Sequence, residues 1–468
     1  MAPYSPFKKE LTDIDASDLA DLKFASEGWY IEYKREVPTA ESIAKSISAF
    51  ANTYGGWLFF GVAEESKESP VAGAFPGISK ANMDAALQRT RQAIAEQVNP
   101  SPHFESRVIW GPSDAIGLAE DHGVICIWVP WSPVAPHVHR KGLIYRRVGD
   151  GSEPRPENDR FILDQLWRRA DEIRLQYKVW HDRDPEFSKG ESDQPYVRLM
   201  LVADLWKERG AWLDAGIDEV RSILGMTHGL VGAVPFDSVY TSAEGFIGRQ
   251  LTGNDPHRLG LTWRLDRALF SDVIIPLPFY TPSDPLFLLS EMNGYQGIHR
   301  FVDTLKRFPN SAIRVVDLNY LFLVLSGVIE IQRRLSVRAD WTHGFFAKAK
   351  ILNAWRTTPF VDVPIVLDVF EKIGPPMCLD SSITSPGGSD PGSFPKIHEY
   401  SDLENEEAQI LAQTLTVFAP IARAFGVPEW IDVDLEHEST PYYVELQQAG
   451  HRAIEVQRIR NERMTKKK

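Results

Sequence analysis

The chain has 468 residues, too many for one ordinary core and enough for two or three. Hydrophobic residues make up 43% and charged residues 25%, the balance of a soluble globular protein. The N-terminus has no apolar signal core, and the longest apolar run, 320–331, is broken by Ser326, Gly327 and Glu330, far short of the ~20 residues that cross a bilayer.

The expectation is therefore a cytoplasmic protein with no membrane partner. Two cysteines, Cys126 and Cys378, exclude a disulfide framework and a cysteine-rich zinc site, and fit a reducing compartment. A net charge of −13 argues against phosphate binding by the chain as a whole. It leaves room for a local basic groove, and acidity elsewhere limits non-specific adhesion.

Residues 1–24 read as a leading segment with helical character. A short strand over 29–33 follows, with Glu32 and Lys34 on one face at period 2. Pro38 and Thr39 open a helix whose apolar side is Ile43, Ile47 and Phe50. The run 52–56, Asn-Thr-Tyr-Gly-Gly, stops it. Residues 57–62 form a buried strand, 83–98 a second amphipathic helix, 124–129 and 143–148 two more strands, and 161–177 a closing helix. The domain so defined spans 25–178, and the polar stretch 179–195 reads as a linker.

Residues 196–468 read as a larger mixed α/β region. It opens on a strand from Tyr196 and holds helices over 298–308 and 318–335. The stretch 374–396 reads as a flexible insert, 430–436 and 442–446 as a hairpin, and 458–468 as a basic tail. The fold class is thus mixed α/β in both parts.

The chemistry concentrates near the N-terminus. A β-α-β unit over 29–62 brings Glu32 in the first strand close to Glu64 at the exit of the second. Glu27 lies an odd number of residues before Glu32, so the two share a site only if the chain bends near Gly28. Three convergent carboxylates, Glu27, Glu32 and Glu64, are hard oxygen ligands for Mg²⁺ or Mn²⁺, and Lys34 would then face a scissile phosphate. On spacing alone the same residues also read as solvated strand ends and a polar turn.

The segment Glu27-Gly-Trp-Tyr-Ile-Glu32-Tyr-Lys34, the run 48–62 (SAFANTYGGWLFFGV) and the later Tyr145-Arg146-Arg147-Val148-Gly149 resemble the Schlafen AlbA-like domain over residues 20–175. The resemblance implies a nucleic-acid-handling domain with RNA or DNA as partner. In the members that cleave structured RNA, three acidic residues form the site; by position these are Glu27, Glu32 and Glu64. Glu64 stands where Asp is usual and is one methylene longer. Those enzymes combine two lobes into a clamp, so a single lobe would need a homodimer. The implied activity is a divalent-metal-dependent endoribonuclease, with a non-catalytic RNA- or DNA-binding regulator, its C-terminal region serving interaction, as the alternative.

Lys34, Asn52, Arg140, Lys141, Tyr145, Arg146 and Arg147 are the candidate nucleic-acid contacts, the arginines and lysines for phosphate and Tyr145 for stacking. A solvated hairpin explains the same basic cluster. His137 and His139 form a metal-like pair without an evident third ligand. Asp432, Asp434, Glu436 and Glu438 alternate as on one strand face. No nucleotide-binding phosphate loop, serine nucleophile elbow or zinc-protease helix is present in the sequence.

Overall fold

The computed structural model describes all residues except 1–3, 10, 149–152, 232–233, 252–256, 310–313, 401–402, 404, 429–441 and 467–468. The chain divides into two compact units: residues 1–180 with 206–210, and residues 181–205 with 211–468. Both are mixed α/β, as the sequence predicts.

In the first unit, β1 (Ile31–Lys34) pairs parallel with β2 (Gly56–Phe60), Glu32 opposite Leu58 and Lys34 opposite Phe60. The helix α1 (Ala40–Asn52) is the crossover between them, opened by Thr39, whose hydroxyl accepts the Ser42 amide. The chain then makes a small ladder of β3 (Ala63–Glu64) with β4 (Ala72–Ala74). Next come β5 (Ile78–Ser79) and the long helix α2 (Lys80–Gln97), with β6 (Val98–Asn99) after it. The strands β7 (Glu105–Trp110) and β8 (His122–Val129) complete the main sheet, β8 lying antiparallel to β2 and to β7. A second small sheet joins β6, β9 (Val138–His139), β10 (Leu143–Arg146) and β11 (Arg155–Pro156).

Alternation along β2 and β8 feeds two cores. Leu58, Phe60, Ile125, Ile127 and Val129 face α1 and α2, where Ile43, Ile47 and Phe50 pack as expected from their spacing. Trp57, Phe59, Val124, Cys126 and Trp128 face the other way, under Phe7, Leu11, Ile14, Leu19 and Leu22 of the N-terminal segment. That segment is a short 3₁₀ helix, Asp18–Phe24, within irregular chain rather than a longer helix. The turn after α1 requires glycine: Gly55 has φ +75°, and a Cβ there would sit 2.7 Å from the Val129 carbonyl. A Cβ on Gly56 would lie 2.4 Å from the Phe50 ring. The closing helix runs over Arg160–Asp182.

The second unit is built on an antiparallel sheet in the spatial order Ser238–Thr241, Gly245–Arg249, Thr262–Asp266, Phe270–Pro276, Tyr196–Val202, Phe345–Leu352, Ser382–Ser385, with Lys396–Ile397 also on Phe345–Leu352. A smaller sheet joins Phe279–Tyr280, Arg314–Asp317 and Thr357–Phe360. The helices Ile298–Arg307 and Leu318–Arg338 fall close to where periodicity puts them. Two expectations are corrected here. The stretch 374–396 contains a sheet strand, Ser382–Ser385, so it is integral rather than a flexible insert. The stretch 442–446 begins a helix, Tyr442–Lys466, which also takes up most of the basic tail. The other arm of the expected hairpin, 430–436, lies outside the described residues.

Candidate functional site

The carboxylates of the first unit are organised by a buried arginine. Arg147 is fully buried, its Nη1 2.7 Å from Glu32 Oε2. The same guanidinium donates to the Gly28 and Ile31 carbonyls and lies 4.6 Å from the centre of the Phe50 ring. Its backbone amide donates to Thr53 Oγ1 at the end of α1. Glu32 Oε1 accepts from Ser46 Oγ at 2.8 Å and stands 3.0 Å from Lys34 Nζ. Both Glu32 oxygens are thus engaged by the protein itself. Sequence reading missed Ser46 and Thr53. The signal for Ser46 was present: it is three residues after Ile43, a polar group on the buried stripe of α1.

Glu27 reaches this neighbourhood because the chain bends before β1, with the Gly28 amide bonded to the Ile31 carbonyl. Its Oε1 accepts the Tyr33 backbone amide. Burial pushes the Glu27 carboxyl up to about 7, and a hydrogen bond and like charge from Glu64 add to the rise, against the Tyr33 amide and the Lys34 charge. Glu27 and Glu64 therefore come together, and Glu64 itself is exposed.

The expected three-carboxylate metal site needs correction. Among the described residues no three His, Cys, Asp or Glu side chains gather so as to hold one ion. Glu32 is committed to Arg147, Lys34 and Ser46, and a cation entering beside it would meet two positive charges. The residues present do not fit the Mg²⁺ or Mn²⁺ cluster that the resemblance implies. Lys34, a third exposed, neutralises Glu32 rather than standing free for a phosphate.

Several expected nucleic-acid contacts are interior. Asn52 is fully buried: its side-chain amide donates to the His137 and Tyr145 carbonyls at 3.0 Å, and its Oδ1 accepts the His137 amide at 2.7 Å. It clamps the end of α1 to the β9–β10 hairpin. Tyr145 is 5% exposed and packs edge-on against His139, with Lys45 over its face, so it offers no open ring for a base. Arg146 is paired with Glu157 at 2.6 Å, and Arg147 is the buried anchor described above. Arg140 and Lys141 remain at the surface, Lys141 in an exposed pair with Glu41. His137 bonds the Pro100 carbonyl through Nδ1, and among the described residues no metal-holding group includes it or His139.

Elsewhere, Asp432, Asp434, Glu436 and Glu438 lie outside the described residues. In the C-terminal helix Arg458 pairs with Glu455 and Glu462, and Arg460 lies over the Tyr280 ring, so these two arginines of the expected basic tail are held by their own unit. No helix among the described residues is long and apolar enough to cross a membrane.

Comparison with known proteins agrees with the motif reading in the first unit. No curated protein matches the chain. Among solved structures, the chain is similar to the DIP2311 protein from Corynebacterium diphtheriae, at 17% identity and a TM-score of 0.19, over 47% of this chain and 38% of that one. Residues 27–156 match the profile of the family described as Schlafen, AlbA_2, a family associated with nucleic-acid binding. The chain therefore carries, over its N-terminal part, a domain of the Schlafen AlbA_2 family.

Proposed function

We propose that the N-terminal unit binds RNA or DNA, without cleaving it, through the edge formed by α1 and the β9–β10 hairpin. One observation carries this reading: Lys45, over the Tyr145 ring, and the exposed Arg140 and Lys141 gather around His139, so three cations, with Glu41 as the acidic residue among them, share one edge of the family domain. The Lys141–Glu41 pair is exposed and screened by solvent, so a phosphate can replace Glu41 as its partner. The acidity of the remaining surface suits a binder that must release non-specific sites.

Affinity should fall steeply with salt. Arg140→Ala with Lys141→Ala should weaken binding about equally across sequences and lower the salt slope by about 1–2, as expected for lost phosphate contacts. Filter or anisotropy titrations at several salt concentrations measure this, and an unchanged slope would remove this edge from the interface. Against cleavage stands the engagement of Glu32 by Arg147 and Lys34. Incubation of the full chain with transfer RNA, ribosomal RNA and single-stranded DNA, with Mn²⁺ or with chelator, should show binding and no cut product. Mn²⁺-dependent cleavage abolished by Glu27→Gln would restore the endoribonuclease reading.

A further inference from the structure

Where the chain bends into β1, a cavity of about 300 Å³ opens between Tyr4, Glu27, Gly28, Trp29 and Tyr30. Tyr4, Trp29 and Tyr30 are its aromatic lining, and Tyr54 stands behind them. Tyr4 and Tyr30 stack with ring centres 5.1 Å apart, and Tyr54, next to the Gly55-Gly56 turn, lies 5.7 Å from Trp29 and 6.3 Å from Tyr30. Tyr4 is 40% exposed and Tyr54 51%, so these rings are accessible to solvent rather than filling a core. A Cβ on Gly28 would meet nothing within 4 Å, which leaves that wall open. The floor is rigid, because the buried Arg147 guanidinium holds the Gly28 and Ile31 carbonyls from beneath. Its charged lining group is the nearly buried Glu27 carboxyl, with Ser26 and Ile31 completing the lining.

We propose that this cavity receives one unpaired nucleobase of a single-stranded RNA or DNA, stacked among Tyr4, Trp29 and Tyr30. The proposal rests on the nucleic-acid reading above and deepens it from phosphate attraction to selection of unpaired bases. The volume is at the lower limit of about 300 Å³ for small-molecule sites, which suits a single planar heterocycle. Aromatic faces accept any base, since every base has a π-face, so the pocket selects strandedness rather than sequence. A base held in a duplex has both faces covered by its neighbours and cannot enter. The cations at Arg140 and Lys141 and the aromatic cavity then divide the work: the first holds backbone, the second holds a base.

The test uses the full chain and oligonucleotides of about 12 nucleotides, within the ~4–16-nucleotide sites of single-strand binders. Four probes are compared by anisotropy: single-stranded RNA, single-stranded DNA, an abasic strand of the same backbone, and a duplex. Tyr4→Ala with Trp29→Ala should lose roughly 10-fold or more in affinity for the base-bearing single strands. It should leave the abasic strand and the duplex unchanged, while Tyr4→Phe with Trp29→Phe retains wild-type binding. Which of the RNA and DNA arms binds more tightly identifies the source of the base. Should the double alanine variant fail to fold, Tyr4→Ala alone, at an exposed ring, gives the same comparison. Equal loss on the abasic strand overturns the base pocket, as does no loss on any probe while Arg140→Ala with Lys141→Ala still weakens binding. Absence of wild-type binding to all four probes removes the nucleic-acid reading itself, and the pocket with it.

Discussion

Arg147→Ala is expected to destabilise the N-terminal unit by about 3–5 kcal/mol, the cost of breaking one side of a buried ion pair. The substitution leaves Glu32, 2% exposed, without its guanidinium partner and removes the guanidinium's hydrogen bonds to the Gly28 and Ile31 carbonyls. It also empties the space against the Phe50 ring. Single domains are stable by only ~5–15 kcal/mol, so the variant should lose much of its margin. Arg147→Lys should recover only part of the loss, because an ammonium cannot span Glu32 and two carbonyls as the planar fork does. Glu32→Gln combined with Arg147→Met should be milder than Arg147→Ala alone, since neither partner is then left charged and buried. Denaturant unfolding, with hydrogen exchange at the β2 amides to report the first unit, measures each case. A stable Arg147→Ala protein that had lost only nucleic-acid affinity would return this residue to the surface role its sequence position suggested. For the same reason, joint replacement of Arg146 and Arg147 would report on folding before it reported on binding.

The β-α-β frame was legible because its signals are local. Ile43, Ile47 and Phe50 repeat at helical spacing, Thr39 caps the start, and Gly55-Gly56 fit a turn that the Val129 carbonyl and the Phe50 ring leave too narrow for a side chain. The site was less legible because its partners are far apart in sequence. Arg147 and Glu32 are 115 residues apart, and nothing near Arg147 announces that its charge is taken. Asn52 reads from sequence as a ligand contact, whereas its position at the end of α1 makes it a clamp for the His137 and Tyr145 backbone. In the second unit, Tyr442-Tyr443-Val444 suggested a strand by β propensity. The helical spacing of Leu446, Ala449, Ala453 and Val456, all buried, was the better guide. The aromatic cavity was invisible from sequence for a similar reason: Tyr4 meets Tyr30 only after the N-terminal segment folds back, and Tyr54 meets Trp29 only once β1 and β2 pair.

Stability of the first unit should also depend on pH through Glu27. The Glu27 carboxyl rises from an ordinary 4.5 to about 7, first because burial disfavours its charge and then because Glu64 shares a hydrogen bond with it. Below 4.5 the folded and unfolded chains both hold this proton, and the group imposes no penalty. As pH rises from there toward 7, the unfolded chain releases the proton while the folded one keeps it, so stability falls; above 7 both are ionised and the loss levels off. The loss is on the order of 1–3 kcal/mol. Glu27→Gln keeps a carbonyl oxygen for the Tyr33 amide and cannot ionise. It should remove this slope and make the protein more stable than wild type near pH 8 in denaturant titrations. A variant that kept the wild-type slope would place the responsible proton on another group. Binding should follow the same proton, because Glu27 lines the base-sized cavity and its neutral form removes a negative charge facing a polyanion. Wild-type affinity for single-stranded oligonucleotide should therefore be higher near pH 6 than near pH 8, and this difference should shrink in Glu27→Gln.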